Sequence, residues 1–121
     1  MPHIKVMVKY ILKEKLKLPV KKMYLNEIAT PEGKIAAACD KELIGRKFTE
    51  GKYSLDLEKN AGFYKGKLST EKEVKKALKG AFTINLTGEN AVQAALDEGI
   101  AEKNAVKRIA GIPHLQVYRI K

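Results

Sequence analysis

The sequence contains few of the residues that small proteins use for covalent or metal-based stabilisation. Its 121 residues include one cysteine, Cys39, and two histidines, His3 and His114. A single cysteine excludes an internal disulfide and a cysteine-rich metal site, and it is typical of a reducing cytosol. Because the two histidines are far apart in the sequence, we expect no bound metal and no cofactor.

Long apolar runs are also missing. No run approaches the roughly 20 apolar residues needed to cross a bilayer. The basic N-terminus is interrupted by residues 13–17 and is followed by no small-residue cleavage site. These features predict a cytoplasmic protein without membrane contact. Apolar residues make up 45% of the chain, which is enough for one core in a domain of this length.

Acidic residues are outnumbered by basic ones. The chain has 24 Lys and Arg and 14 Asp and Glu, a net charge of +10. Residues 1–22 carry seven Lys and one Glu, a net charge of +6, and residues 23–121 carry the remaining +4. A cationic surface favours a polyanionic partner, above all nucleic acid. The alternative is a solubilising Lys/Glu surface of the thermophilic kind, which would be better balanced in sign.

Hydrophobic periodicity predicts a single compact α+β domain over residues 23–121, with a mixed sheet of about five strands and two main helices. Strands are expected at residues 23–28, 34–39, 53–57, 82–86 and 115–120, with a short one at 106–109. The first two form a hairpin around a turn containing Pro31 and Gly33. One helix is expected at residues 71–79, and a second is opened by residues 87–90 and closed by Gly99. Residues 59–67 are predicted as a loop.

Residues 1–22 are predicted as a basic N-terminal extension. Their apolar residues fit either the alternation of a strand or the stripe of a helix, and Pro19 ends the pattern. One interpretation is an arm whose lysines, including Lys21 and Lys22, lie along phosphates. The other is an additional strand or helix packed on the core, with its lysines in water.

The stretch from residue 81 to residue 99 is a predicted strand that runs directly into a helix. Thr87 and Gly88 stand at the junction, where free N–H groups and the helix dipole can bind a phosphate. Against this, no lysine follows Gly88, and Glu89 repels an anion. The alternative is simple capping of the helix by Thr87. Gly99 is predicted to end the helix as a left-handed residue.

The predicted helix at residues 71–79 begins with a capping box formed by Thr70 and Glu73. Its apolar residues share one face, and four lysines lie on the opposite face: Lys72, Lys75, Lys76 and Lys79. The row is predicted to point straight into solvent, where it suits phosphate contacts that read no bases. The alternative is an ordinary solvated helix face.

Two other segments are candidate contacts. Phe63 and Tyr64 lie among lysines and suit either base stacking or anchoring of a loop to the core. In the second segment, Gly111 and Pro113 shape the backbone before His114. His114 is a candidate phosphate or base contact. Alternatively, it caps a backbone group in a rigid turn.

Catalysis has little support in the sequence. Cys39, Asp40 and His114 are residue types found in nucleophilic triads, but nothing brings them together and Cys39 lies in a predicted buried strand. Asp40 is instead predicted to cap a short helix at residues 41–44.

Several short stretches resemble an archaeal family of unknown function, the domain-of-unknown-function family 424. They are residues 35–40, 42–45, 63–64, 85–89 and 109–114. The resemblance covers about four fifths of the chain, from about residue 23 to residue 120. It implies a role linked to RNA through the family's archaeal translation setting, and it supplies no catalytic residue to carry over.

The sequence therefore predicts a non-catalytic RNA- or ribosome-associated protein that recognises mainly phosphates. The expected nucleic-acid contacts are Lys21, Lys22, Arg46, Lys47, Lys72, Lys75, Lys76, Lys79, Arg108 and His114. The alternative is a protein or enzyme that binds a small phosphorylated ligand through Asn85, Thr87, Gly88, Gly111 and His114. A third hypothesis is a protein-interaction module that uses a sheet edge or the N-terminal segment.

Overall fold

The computed structural model describes residues 20–119. The strands are β1 (Lys21–Thr30), β2 (Gly33–Asp40), β3 (Lys47–Glu50), β4 (Tyr53–Asp56), β5 (Lys67–Thr70), β6 (Thr83–Thr87), β7 (Lys107–Ile109) and β8 (Ile112–Tyr118). The helices are α1 (Ala61–Tyr64), α2 (Glu71–Lys79) and α3 (Glu89–Asp97), and single 3₁₀ turns cover Lys41–Leu43 and Lys103–Ala105.

Six strands form one mixed sheet in the order β5-β1-β2-β6-β8-β7, and β3 and β4 form a separate hairpin. Strands β2 and β6 are parallel, and every other neighbouring pair is antiparallel. The prediction of a single α+β domain with a mixed sheet is confirmed. Strands β3 and β5 were not predicted, and each is only four residues long.

Strand side chains alternate between two faces of this sheet. On the first, the helix face, α2 and α3 pack on apolar side chains to form the main core. This core includes Met23, Ala36, Ala38, Val74, Leu78, Ile84, Leu86, Ala91, Val92, Ala95 and Leu115. The alanines of β2 are fully buried. Their small side chains leave room for the helices to lie close to the sheet.

The opposite side, the hairpin face, is more polar. Its central side chains are Ala37, Cys39, Asn85, Thr87, His114 and Gln116. The β3–β4 hairpin and α1 cover one end of it, where Leu43, Leu57 and Tyr64 complete a second, smaller apolar cluster. The rest of the face is more open, and Tyr118 at its far end is 66% exposed.

Local signals at the helix ends are confirmed. The Thr70 hydroxyl accepts from the Glu73 N–H at 3.2 Å, and the Glu73 carboxylate accepts from the Thr70 N–H at 2.9 Å. Gly99 has a φ of 67°, and the Ile100 N–H donates to the Ala95 carbonyl at 3.0 Å. Helices α2 and α3 therefore begin or end where the sequence predicts.

Four other predictions need correction. The Asp40 carboxylate accepts no capping hydrogen bond from the 3₁₀ turn that follows it. The predicted loop at residues 59–67 contains α1, and the last strand, predicted at residues 115–120, already begins at Ile112 as β8. Strand β1 already begins at Lys21. The choice between strand and helix for residues 1–19 lies outside the described residues, as does residue 120 of the predicted last strand.

No helix within residues 20–119 combines the length and apolar character needed to span a membrane.

Candidate nucleic-acid interface and polar pocket

A chain of hydrogen bonds crosses the hairpin face. The His114 Nδ1 lies 2.8 Å from the Thr87 Oγ1, the Thr87 hydroxyl donates to the Tyr64 oxygen at 3.2 Å, and the Tyr64 hydroxyl donates to the Asn85 Oδ1 at 3.0 Å. Adjacent strands bring these groups together, because Thr87 and His114 are register partners in β6 and β8. Tyr64 reaches them from α1.

The hydrogen bonds from His114 to Asn85 all run in one direction, which sets the tautomer of His114. Asn85 Oδ1 can only accept, so Tyr64 uses its one proton there and Thr87 uses its one proton on Tyr64. The Thr87 oxygen must then accept from His114, which requires a proton on Nδ1. The other ring nitrogen, Nε2, is therefore a hydrogen-bond acceptor.

Burial, helped by the nearby charge of Lys107, lowers the pKa of His114. The imidazole is therefore neutral at pH 7, as the acceptor role of Nε2 requires. Burial also raises the pKa of Tyr64, so its hydroxyl keeps the proton that it donates to Asn85. The buried Tyr64 anchors α1 to the sheet, which favours the anchoring role over base stacking for this residue.

A pocket of about 290 Å³ opens beside this series of hydrogen bonds. It is lined by Ser54, Leu55, Asp56, Leu57, Asn60, Phe63, Tyr64, Asn85, His114 and Gln116. Four of these side chains keep polar atoms without a protein partner among residues 20–119: the Asn85 Nδ2, the His114 Nε2, the Gln116 amide and the Asn60 Oδ1. The pocket can therefore both donate hydrogen bonds to a ligand and accept them.

The N-terminus of α3 is already occupied by a carboxylate. The Asp40 Oδ2 accepts from the Asn90 N–H at 3.0 Å, and the Asp40 Oδ1 accepts from the Ala91 N–H at 2.9 Å. The Gly88 N–H donates to the Pro113 carbonyl at 2.9 Å. Burial raises the pKa of Asp40, and the two N–H donors oppose that rise.

This arrangement corrects the predicted cap. Thr87 is fully buried and its hydroxyl bonds Tyr64, so it does not cap α3. The carboxylate of Asp40 stands where a phosphate would have to bind. Of the alternative ligand set, Asn85 and His114 line the pocket, whereas Gly111 lies in the β7–β8 turn with a φ of 80°.

Cys39, Asp40 and His114 do not form a triad. Successive strand side chains point to opposite faces, so Cys39 lies on the hairpin face and Asp40 on the helix face, where it caps α3. His114 bonds Thr87. Among the residues described by the structure, no group of three His, Cys, Asp or Glu is arranged to hold a metal ion.

We expect Cys39 to resist alkylation in the folded protein. Its side chain is fully buried, and burial with the nearby charges of Asp40 and Glu42 raises its pKa to about 12. The thiolate is the reactive form, so native protein at pH 8 should take up iodoacetamide far more slowly than protein unfolded in guanidinium. Mass spectrometry follows the label, and equal rates in both states would contradict the buried position.

The lysine row of α2 does not point entirely into solvent. Lys75 lies 2.8 Å from Glu71 and 3.3 Å from Asp97, and Lys79 lies 3.8 Å from Glu98. The prediction of an outward lysine is wrong for Lys75, whose side chain is 25% exposed, whereas Lys79 stays 67% exposed although it is paired with Glu98. Lys72 and Lys76 are exposed and have no acidic partner within 4.0 Å among the described residues.

The other predicted cations are dispersed. Arg108 is paired with Glu89 at 2.8 Å and also bonds the Gly111 carbonyl, while Lys47 lies 4.0 Å from Asp56. Arg46 stacks on Phe48, with 4.9 Å between the guanidinium carbon and the ring centre. The remaining two, Lys21 and Lys22, are exposed at the start of β1. The structure thus divides the predicted set between the two sides of the sheet.

Sequence reasoning missed Lys107, Gln116 and Tyr118 on the hairpin side, and it noted Lys59 and Lys65 only as neighbours of Phe63 and Tyr64. A period of two from His114 would have placed Gln116 and Tyr118 on its face. Lys107 is the register partner of His114, and Lys65 lies 5.9 Å from the centre of the Tyr24 ring. Register between separate strands cannot be read from local pattern.

The architecture defines a small α+β protein with α2 and α3 on one face of a mixed sheet and a polar pocket on the other. Residues 28–120 match the family described as "Protein of unknown function (DUF424)", and the chain belongs to this family. The earlier resemblance is thereby confirmed. No curated protein matches the chain.

A solved structure supports the fold. It is the crystal structure of an uncharacterized conserved protein from Methanopyrus kandleri, with 25% sequence identity and a TM-score of 0.66. The similarity covers 82% of this chain and 95% of that one.

Proposed function

We propose that this protein is a non-catalytic, cytoplasmic RNA-binding protein of the archaeal translation or ribosome system, and that single-stranded RNA lies on its hairpin face. The observation that carries the proposal is the charge of that face. From residue 23 onward, β1, β2, β6 and β8 direct no Asp or Glu to it, and the strand charges Glu27, Lys34 and Asp40 belong to the helix face.

Exposed lysines lie near this surface, and Asp56, on β4, is the acidic residue beside its pocket. Lys59 precedes the pocket residue Asn60, and Lys65 follows Tyr64. Lys107 is close enough to His114 to lower its pKa. Within residues 20–119 none of these lysines has an acidic partner within 4.0 Å. Mobile ammonium groups beside sheet strands that carry no acidic side chain suit phosphate contacts.

An exposed aromatic ring adds a means of holding bases. Tyr118 is 66% exposed and lies on the same strand face as Gln116 and His114. An aromatic ring on an open sheet face is a stacking platform for unpaired bases, worth about 1–3 kcal/mol per base. This feature favours single strands over duplex, whose bases are not available for stacking.

The proposal is tested by the salt dependence of binding to a fluorescent single-stranded RNA of about ten nucleotides. The logarithm of the affinity should fall with the logarithm of the salt concentration by about 0.7 for each phosphate neutralised. Tyr118→Ala should weaken binding about fivefold or more through the loss of one stack. No binding at low salt, or binding that does not change with salt, would contradict the proposal.

A matched control is available on the hairpin. Tyr53 is 56% exposed and, like Tyr118, lies outside the core. We expect Tyr53→Ala to bind RNA as the unaltered protein does, because this ring belongs to the separate β3–β4 hairpin. Equal losses for both variants would remove the support for stacking on the sheet.

A small polar ligand is the second candidate, and the pocket is the observation that favours it. A phosphorylated ligand has less support than an uncharged one, since the Asp40 carboxylate occupies the N-terminus of α3. Within residues 20–119, we find no comparable feature that favours a protein-interaction module. The large exposed hydrophobic residues in the described part of the chain are Val20, Tyr53 and Tyr118, which lie on different elements.

A further inference from the structure

We propose that the pocket beside the His114–Asn85 hydrogen-bond chain receives one unpaired nucleobase and recognises it through hydrogen bonds to its edge. This inference rests on the proposed RNA binding and adds to it a base-reading site. The lysines alone would bind all sequences alike, because phosphate contacts carry no sequence information. A pocket that reads a base edge gives the protein a preference among sequences.

The polar atoms of the pocket suit a base edge. The Asn85 Oδ1 is occupied by Tyr64, which leaves the Nδ2 amide as a donor, and the tautomer of His114 leaves Nε2 as an acceptor. Gln116 adds an exposed amide that can do both. Base edges present donors and acceptors side by side, and amide side chains pair with them in the plane of the base.

The pocket also supplies an aromatic wall. Phe63 lines it and packs edge-on against Tyr64, with ring centres 5.1 Å apart and an interplanar angle of 82°. The Asn26 side chain donates to the Phe63 carbonyl at 2.9 Å and ties α1 to β1. The ring of Phe63 is thus held in position before a ligand arrives, as an apolar surface for the flat face of a base.

Charge and size disfavour a phosphate in the same place. Asp56 is the charged residue of the lining, and its carboxylate accepts from the Lys59 N–H at 2.9 Å and the Glu58 N–H at 3.2 Å. A carboxylate repels phosphate and tolerates a neutral base. The volume of about 290 Å³ is near the lower end of small-molecule sites, about 300 Å³. Such a space suits a single small planar group.

The test compares single-stranded homopolymers of adenosine, uridine and cytidine of equal length. The unaltered protein should separate the best from the worst by about fivefold or more, since one well-placed base contact discriminates against a wrong base by at least about that factor. Gln116→Ala and Asn85→Ala should reduce this spread to less than about twofold while the salt dependence stays the same. Gln116 is exposed, so its variant keeps the fold even if Asn85→Ala weakens the hydrogen-bond chain.

Gln93→Ala is the control, because Gln93 is an exposed amide on α3, where it bonds Asp97 at 2.7 Å. Its discrimination among the three RNAs should equal that of the unaltered protein. RNA binding with no preference among bases, or a preference that survives Gln116→Ala and Asn85→Ala, overturns the pocket assignment and leaves the proposed function standing. Failure to bind any of the three RNAs overturns both.

Discussion

Replacing Gly88 by alanine is expected to lower the free energy of unfolding by about 3 kcal/mol or more. Gly88 has φ 110° and ψ 159°, a conformation that side chains rarely adopt and that costs about 1–3 kcal/mol for other residues. An added Cβ would also lie 2.6 Å from the Asp40 Oδ1. The carboxylate would have to leave the Asn90 and Ala91 N–H groups, and hydrogen bonds to charged groups contribute about 1.5–3 kcal/mol each.

Denaturant unfolding measures this loss, and Gly80→Ala provides the comparison. Gly80 follows α2 with a φ of −92°, and a Cβ there would meet nothing within 4 Å. Alanine at such a position changes stability by about 0.4–1 kcal/mol in the stabilising direction. If Gly88→Ala were as stable as Gly80→Ala, the capping of α3 by Asp40 would not be a main support of the fold.

Reversing two charges on the hairpin side is expected to weaken RNA binding about tenfold or more at physiological salt. The variant Lys59→Glu with Lys65→Glu removes two exposed ammonium groups near the pocket and puts two carboxylates in their place. Each phosphate contact contributes about 0.7 to the slope of the logarithm of the affinity against the logarithm of the salt concentration. We therefore expect the loss of two contacts to reduce this slope by about 1.4. Fluorescence anisotropy at several salt concentrations gives both numbers.

The lysines of α2 provide a control of the same net charge. Lys72 and Lys76 are exposed and have no acidic partner within 4.0 Å among residues 20–119, but they belong to the helix side of the sheet. Lys72→Glu with Lys76→Glu should change the affinity less than about threefold, through long-range charge alone. A larger loss of affinity for this variant than for the Lys59/Lys65 variant would show that the RNA phosphates contact α2 and not the hairpin side.

Much of the fold could be predicted because its main signals are local. The alternation of residues 23–39 around the Pro31 turn predicts the β1–β2 hairpin, and the capping box of Thr70 and Glu73 predicts the start of α2. Strands β3 and β5 hold one large apolar residue each, Phe48 and Leu68, so no alternation of apolar residues can show in them. The cap of α3 was also missed, since Asp40 reaches an amide 50 residues away.

The site was only partly predictable for a related reason. Asn85, Thr87 and His114 were singled out by residue type, and the register of β6 with β8 then brings Thr87 and His114 together. Tyr64 joins them from 23 residues away, and that contact has no local signal. The spacing of Glu71 and Lys75 within α2 indicates one ion pair, but Asp97 and Glu98 reach Lys75 and Lys79 only because α3 packs beside α2.

The most direct test of the central claim is NMR chemical-shift mapping of the protein with a single-stranded RNA of about ten nucleotides. RNA on the hairpin face should shift the signals of Lys65, Asn85, His114, Gln116 and Tyr118 most strongly. The amides of α2 and the exposed side of α3 should move little. The largest shifts on α2 and α3, with the signals of β8 unchanged, would contradict the account.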